Sequence, residues 1–573
     1  MSTRRFLYVF LGALTVLRLL YCAQLELSPD EAYYFQWSEH LAPSYFSKGP
    51  GIALAMWLST HLFGATEFGV RVFSPLLALG TSLLLAGLAR RLYSESVAIW
   101  TVLLINCTPI FNAGSLVMTI DPLSIFFWAA ALYTFWLALE KSPAFSAWWP
   151  LTGALIGCGF LAKYTNAMQL LSILLLLAAT PKHRLELRRP GFAVLLAVFA
   201  LFTIPVLVWN AQHDWITLRH LGERGGLSDG PRFRPGEFFI YLGLHFGVYS
   251  PFIFGAMLWA IFRSWKKARV HFKPRFLIAF TLPLFVLYFT LAIKRAGEPN
   301  WTAPAAISLA ILTAACWHEL AAERKWARTF ALAALAFGGA MSVLTVDAEM
   351  LRRIGLPLSY DLDPSARVRG WHTAAESIET LRKKFETEHG QPVFLIANKY
   401  GTAASLAFYF QDKRREAPGH PPVYCPMSAV PENQFYFWPR YDALVSYADQ
   451  ACELLPSLES APRLALTSAL STLETPGTPE QETEHRRQFL VALKAAAPQL
   501  AIDEYFTESM GYSPFLGRTA LYITDRPEEK PASSILREFA RTEMIATIDL
   551  TRRGLPLRQL RVFACYDYRQ PEL

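Results

Sequence analysis

Two adjacent carboxylates, Asp30 and Glu31, stand in the run Ser28-Pro29-Asp30-Glu31-Ala32-Tyr33-Tyr34, directly after the first long apolar stretch of the chain. Charge at a membrane boundary is costly and usually serves a purpose. Other polar groups recur just outside apolar stretches: Lys48, Asp121, Lys163, Tyr164, Asn210, Asp214, His245, Lys294, Arg295, Glu298, Asn300 and Trp301. Acids opposite bases at one boundary suit a site that holds an anionic lipid headgroup and abstracts a proton nearby. Side chains one residue apart share no face in helix or strand, so only one of Asp30 and Glu31 points into such a site.

The elements that position these groups are membrane helices. The 573 residues are 53% hydrophobic and 14% aromatic, with a mean hydropathy of +0.25, above what a soluble chain carries. The excess is uneven: residues 6–346 run from one apolar stretch to the next, and 347–573 is an ordinary globular mixture. At about 20 apolar residues per span, the pattern predicts a polytopic α-helical protein of about eleven spans, with about thirteen as the upper limit. They fall near 6–25, 70–89, 95–112, 122–139, 147–162, 165–180, 191–210, 238–262, 276–293, 302–319 and 329–346. Residues 51–63 are apolar but short, which suits a re-entrant or interfacial helix. The chain divides into a membrane domain, 1–346, and a tail domain, 347–573.

Basic residues orient the spans. Arg4, Arg5, Arg90, Arg91, Lys141, Lys182, Arg184, Arg188, Arg189, Arg263, Lys266, Lys267, Arg269, Lys273, Arg275, Arg324, Lys325 and Arg328 share one side. The other side holds only Lys48, Lys163, Arg219, Arg224, Arg232, Arg234, Lys294 and Arg295. The N-terminus is therefore expected inside and the tail outside, on the face that carries Asp30 and Glu31. The first stretch lacks a small-residue cleavage site before Ser28 and reads as a retained anchor. Orientation largely explains the net charge of +8, and no basic stripe with interleaved aromatics argues for nucleic acid. The seven cysteines show no ligand spacing; Cys425, Cys452 and Cys565 in the tail leave room for one disulfide.

The tail reads as a small α/β layer domain. A helix is expected over 371–388, a buried strand over 392–397 and a helix over 402–410. Strands follow at 442–447 and 520–524, with helices near 484–497 and 532–542 and an exposed insertion at 455–483, rich in Pro, Thr, Ser and Glu. Without a GxGxxG, a P-loop or a nucleophile elbow, the tail is assigned no catalysis.

Taken in order, several motifs carry a resemblance. They are Ser28 to Tyr34, Leu41-Ala42-Pro43-Ser44-Tyr45-Phe46-Ser47-Lys48-Gly49-Pro50, Met118-Thr119-Ile120-Asp121-Pro122, Leu161-Ala162-Lys163-Tyr164-Thr165 and Gly297-Glu298-Pro299-Asn300-Trp301-Thr302-Ala303-Pro304. The chain resembles the polyprenyl-phosphate-dependent membrane glycosyltransferases of the GT-C superfamily, nearest the bacterial aminoarabinose lipid A transferases and the protein O-mannosyltransferase group. Arg367-Val368-Arg369-Gly370-Trp371 and Asn398-Lys399-Tyr400-Gly401-Thr402-Ala403 are similar to the outer domain of some bacterial members.

The resemblance implies a bacterial inner-membrane enzyme that moves a sugar from a polyprenyl-phosphate donor to an extracytoplasmic lipid, glycan or protein hydroxyl. The family's first-loop acid is the base of an inverting single displacement, and Asp30 matches it by position. Asp121 matches a second acid that orients the acceptor or supports the first loop, and Glu31 is the third acid of the catalytic set. The phosphate leaves as a stabilised anion, so cations and hydrogen-bond donors matter more than a general acid. Lys48, Lys163, Lys294 and Arg295 would hold it, and Tyr33, Tyr34, Tyr45, Tyr164, Glu298, Asn300 and Trp301 would line the donor and acceptor pocket. Aminoarabinose transferases carry an acidic metal ligand just before the position of Lys48, and many relatives have His-Pro-Pro nearby; here Ser47 precedes Lys48. Serine is a poor zinc ligand and a weak magnesium ligand, so no cofactor is expected and a divalent metal is disfavoured.

Plainer roles compete for each residue. Asp30 could cap the helix after Ser28-Pro29, Lys163 could reach for headgroups from a helix end, and Asp121-Pro122 is a common helix start. Glu298, Asn300 and Trp301 could anchor at the interface, and His213 and His245 read as loop and packing residues. Two other classes stay open. A flippase of lipid-linked sugars would place charge near the bilayer midplane, and an envelope-assembly scaffold would carry its information in the tail. Alanine at Asp30 separates them: an enzyme loses turnover, a flippase loses translocation and a scaffold is indifferent.

Overall fold

A computed structural model describes residues 3–225, 233–356, 358–426, 430–443, 445–473, 475–498, 511–526 and 530–569. It divides into two compact units, 1–373 with 551–557, and 374–550 with 558–573.

The first unit is helical. Its helices are α1 (Thr3–Cys22), α2 (Pro29–Glu39), α3 (Gly51–Phe63), α4 (Glu67–Arg71), α5 (Phe73–Leu92), α6 (Glu95–Asn106), α7 (Pro109–Gly114), α8 (Ile120–Lys141) and α9 (Trp148–Ala162). After them come α10 (Met168–Ala178), α11 (Pro190–Gln212), α12 (Ile216–Arg224), α13 (Pro235–Tyr249), α14 (Pro251–Val270), α15 (Phe272–Ala279), α16 (Leu282–Leu291), α17 (Ala303–Glu323), α18 (Lys325–Val346) and α19 (Glu349–Arg353). Every apolar stretch read from the sequence folds as helix. Among the described residues seven helical stretches are long and apolar enough to cross a bilayer alone, and 95–106, 148–162 and 164–178 are shorter. Burial separates centre from rim: the best spanning window of α8 is 83% buried and that of α11 only 17%. Several stretches are interrupted. The predicted single span 238–262 is two helices, α13 and α14, meeting at 112°. Pro251 has no N–H to continue the ladder and disfavours helical geometry at the residue before it; Ser250 turns the chain with φ of +73°. The stretch 95–112 likewise breaks ahead of Pro109, between α6 and α7.

The short loops at one end of this unit are fixed by close backbone approach. A Cβ on Gly49 would meet the Leu161 carbonyl oxygen at 2.4 Å, and one on Gly51 would meet the Ala162 nitrogen at 2.8 Å. Glycine at both positions lets the loop that carries Lys48 lie against the end of α9, where Lys163 follows.

In the second unit, α20 (Trp371–His389) precedes a four-stranded sheet of order β1-β4-β6-β5. The strands are β1 (Phe394–Ala397), β4 (Ala520–Thr524), β5 (Phe539–Arg552) and β6 (Leu555–Tyr568), with β2 (Val445–Ser446) and β3 (Gly511–Tyr512) forming a separate pair. β1 runs parallel to β4, Phe394 opposite Ala520, and β4 runs antiparallel to β6, Ala520 opposite Cys565. Both β1 and β4 are buried throughout. Five further helices complete the unit: α21 (Tyr400–Tyr409), α22 (Tyr447–Leu454), α23 (Ser460–Leu473), α24 (Pro479–Ala496) and α25 (Ser533–Glu538). The α/β reading holds, with corrections. The strand expected over 442–447 shrinks to Val445–Ser446, Leu444 lies outside the described residues, and Ser446 caps α22 instead. The insertion 455–483 carries α23 and the start of α24, capped by a Thr478–Gln481 box. The helix expected over 532–542 stops at Glu538, where the long hairpin β5–β6 begins; Arg553 and Gly554, both at positive φ, make its two-residue turn. Cys425, Cys452 and Cys565 are all free thiols, so the disulfide is not formed.

Candidate functional site

The two acids after α1 separate as their spacing requires. Ser28 caps α2 and Glu31 closes the capping box by accepting the Ser28 N–H at 2.9 Å. Glu31 then takes the Arg71 guanidinium on both oxygens, each at 2.6 Å, and the Met118 N–H at 2.9 Å. Both side chains of this pair are fully buried. Arg71 also donates to the carbonyls of Cys22, Leu25 and Glu26. A carboxylate so saturated has no lone pair to offer a substrate, and the catalytic expectation for Glu31 is corrected to a structural one. Asp30 leaves the cap to Ser28 and turns outward, with its side chain 42% exposed and 3.5 Å from Arg367. The Arg367 carbonyl is in turn held by the buried Trp371 indole at 3.1 Å.

A second cluster forms around Asp121. One carboxylate oxygen accepts from Lys163 Nζ at 2.7 Å and the other from Asn300 Nδ2 at 2.6 Å. Thr119 caps the start of α8, and Asn166 donates to the Ser124 carbonyl at 3.0 Å, which ties the turn after Lys163 to α8. Three segments far apart in sequence, at 121, 163 and 300, thus meet through charge-assisted bonds. Lys48 faces this cluster from its loop, where its carbonyl accepts from the Tyr45 N–H and the Ser44 hydroxyl. Tyr164 bonds the same Ser44 at 3.2 Å. Among the described residues no carboxylate lies within 4 Å of the Lys48 ammonium. Burial, with Arg224 and Lys163 close by, presses it down to about 8 against the pull of Asp121 and Asp30.

Two residues not singled out from the sequence join here, both from α12. Arg224 sits 5.5 Å over the Trp301 ring, which also packs at 5.1 Å on Tyr288. His220 packs at 4.5 Å on Phe46; burial and the charges of Lys48 and Arg224 push its imidazole down to about 4, so it is neutral at pH 7. The sequence signal was a short, basic, His-containing helix between two apolar stretches, which reads as an ordinary loop.

The remaining expected residues fall outside. Tyr45 stacks on Trp37 at 4.3 Å and spends its hydroxyl on the carbonyls of Trp37 and His40, and Tyr33 packs edge-on to Trp37 at 5.2 Å. Both are buried supports of the first loop rather than pocket walls; Tyr34 is half-buried beside them. Lys294, Arg295 and Glu298 occupy the turn after α16 and, among the described residues, make no side-chain bond to the Asp121 cluster. His245 is buried, between the Tyr241 carbonyl and the Thr302 hydroxyl, and His213 stacks on Trp209. No three His, Cys, Asp or Glu side chains converge on a metal-sized site among the described residues.

The arrangement is an outward carboxylate near a cluster of cations at one end of a bundle of apolar helices. The fold of the whole chain is shared with a solved membrane protein. ArnT from Cupriavidus metallidurans, solved bound to undecaprenyl phosphate, superposes with a TM-score of 0.51 at 16% identity, over 97% of each chain. Residues 47–209 match the profile of the dolichyl-phosphate-mannose-protein mannosyltransferase family. The chain is 31% identical over 287 residues to the lipid A galacturonosyltransferase RgtD of Rhizobium johnstonii, covering 49% of this chain and 59% of that protein. It is 26% identical over 362 residues to an undecaprenyl phosphate-alpha-4-amino-4-deoxy-L-arabinose arabinosyl transferase of Erwinia tasmaniensis, covering 57% and 63%. The matched part thus spans about three fifths of these curated relatives.

Proposed function

We propose that the protein is a glycosyltransferase of the bacterial inner membrane that moves a sugar from a polyprenyl-phosphate donor to an extracytoplasmic acceptor. The acceptor hydroxyl oxygen attacks the anomeric carbon and passes its proton to Asp30. The bond from that carbon to the phosphate oxygen breaks, its electron pair leaves with the polyprenyl phosphate, and the anomeric configuration inverts. Lys48 and Arg224 neutralise the departing phosphate. Lys163 is held near Lys48 by Asp121, and Asn300 holds that carboxylate in turn. In this reading the N-terminus lies inside and the second unit outside, the orientation that the distribution of basic residues favours.

One observation carries this reading: Lys48 is a largely buried cation with Arg224 and Lys163 near it and, among the described residues, no carboxylate paired to it. Such a group repels its neighbours until an anion arrives. The relatives named for lipid A and undecaprenyl-phosphate chemistry point to lipid A as the first acceptor to try. Mass spectrometry of envelope lipids, glycans and proteins, from cells with the intact gene and with Asp30→Asn, tests the reaction. A species one sugar heavier, present only with the intact gene, is expected. Identical spectra in all three fractions would overturn the proposal.

A further inference from the structure

At the opposite, basic end of the first unit, α10, α14, α15 and α16 leave a cavity of about 460 Å³ between them. Its walls are apolar, from Leu175, Trp265, Ile278 and Leu282 among others, and two arginines, Arg269 and Arg275, line it. Arg275 is fixed there. Its Nε donates to the Ala268 carbonyl at 2.8 Å, one Nη to the Arg269 carbonyl at 2.5 Å, and the other to the Ala179 carbonyl and the Thr180 hydroxyl, each at 3.3 Å. It thereby caps the C-terminal ends of α14 and α10 and links them beside the cavity. Every acceptor it uses is uncharged. Among the described residues no carboxylate lies within 4 Å of Arg269 or Arg275, while the neighbouring acid, Glu319, is committed to Lys267 and Arg263.

Membrane orientation accounts for basic residues at this end. It does not account for a cavity between four helices with apolar walls and two guanidiniums lacking a counter-anion. An amphiphile with one anionic head and a hydrocarbon chain matches it in both parts. We propose that this cavity is a binding site for an anionic phospholipid. Its phosphate lies between Arg269 and Arg275, and one acyl chain runs along Leu175, Ile278 and Leu282. The site is remote in sequence from Asp30, Lys48 and Asp121 and does not depend on the reaction assigned to them.

Native mass spectrometry of the full chain, delipidated and offered equal amounts of phosphatidylglycerol and phosphatidylcholine, tests it. Removing a basic residue in contact with an anionic headgroup costs about fivefold in binding of that lipid. The unaltered chain should retain phosphatidylglycerol in preference to phosphatidylcholine by at least that factor. Arg269→Gln, an exposed position, should lower the preference about fivefold, and Ala279→Trp, which fills the cavity, should remove the bound lipid. Arg328→Gln, an exposed charge outside the cavity, should change nothing. Equal retention of the two lipids, or equal losses in Arg269→Gln and Arg328→Gln, would overturn the proposal, since binding would then be general surface attraction.

Discussion

The first unit holds two acid–cation pairs that look alike in sequence and differ in what surrounds them. Glu31 and Arg71 are fully buried, and Glu31 accepts from the guanidinium and two backbone N–H groups while Arg71 also grips three carbonyls. Asp121 and Lys163 keep 16% and 8% of their side chains exposed, Asp121 accepts from one further donor, Asn300, and the pair lies beside Lys48, which among the described residues has no acid of its own. The closed pair has no capacity left and serves to tie the segment before α2, the end of α4 and the loop before α8 together. The open one borders surplus positive charge. A buried pair that is complete positions a site, and an incomplete one can be the site.

The sharpest way to break the closed pair is Arg71→Ala. Removing one partner strands the Glu31 carboxylate in the interior, which costs about 3–5 kcal/mol. The melting temperature in detergent should collapse or the protein fail to accumulate; an unchanged melt would show that the knot positions nothing. The same logic predicts a milder result at the open site. Lys48→Gln with Arg224→Gln should leave the melt intact and weaken polyprenyl-phosphate binding by about tenfold to a hundredfold, the worth of hydrogen bonds to a charged group. Isothermal titration would detect this.

The pH dependence sharpens the contrast further. Burial holds the Lys48 ammonium at about 8, so it is cationic below that pH and loses its charge above it. Affinity for the phosphate should fall several-fold between pH 7 and pH 9, with the slope flattened in Lys48→Gln. A slope identical in the two proteins would remove Lys48 from the site. Smallest of all is the turn after α16: Lys294→Gln and Arg295→Gln should each change binding by less than about twofold, as exposed charges at a distance do.

The sequence made some of this legible and hid the rest for physical reasons. Asp30, Lys48, Asp121, Lys163 and Asn300 stand out because a polar residue beside an apolar run needs an explanation. Arg71 does not, because it opens such a run and its partner lies 40 residues back. Arg224 and His220 hide in a short helix without strong periodicity. Tyr33 and Tyr45 bear the chemistry of a pocket wall but pack on Trp37, Tyr33 edge-on within α2 and Tyr45 stacked from the segment after it, contacts that composition cannot reveal. The break at Ser250-Pro251 was written in the proline, and hydropathy averaged over a window erased it. In the second unit, the buried strands β1 and β4 read clearly as apolar runs, whereas β5 is largely exposed and mixes charged, polar and apolar residues, and its start resembles a helix end.

The central claim is that Asp30 takes the acceptor's proton while the cations around Lys48 hold the donor phosphate. It is tested most directly by measuring donor binding and sugar transfer on one preparation of Asp30→Asn in proteoliposomes. The account predicts binding of the polyprenyl-phosphate sugar within about twofold of the unaltered chain, as befits a residue that does not hold the phosphate, and transfer reduced by about 10²–10⁴-fold, the contribution of a general base. Transfer at the unaltered rate would contradict it.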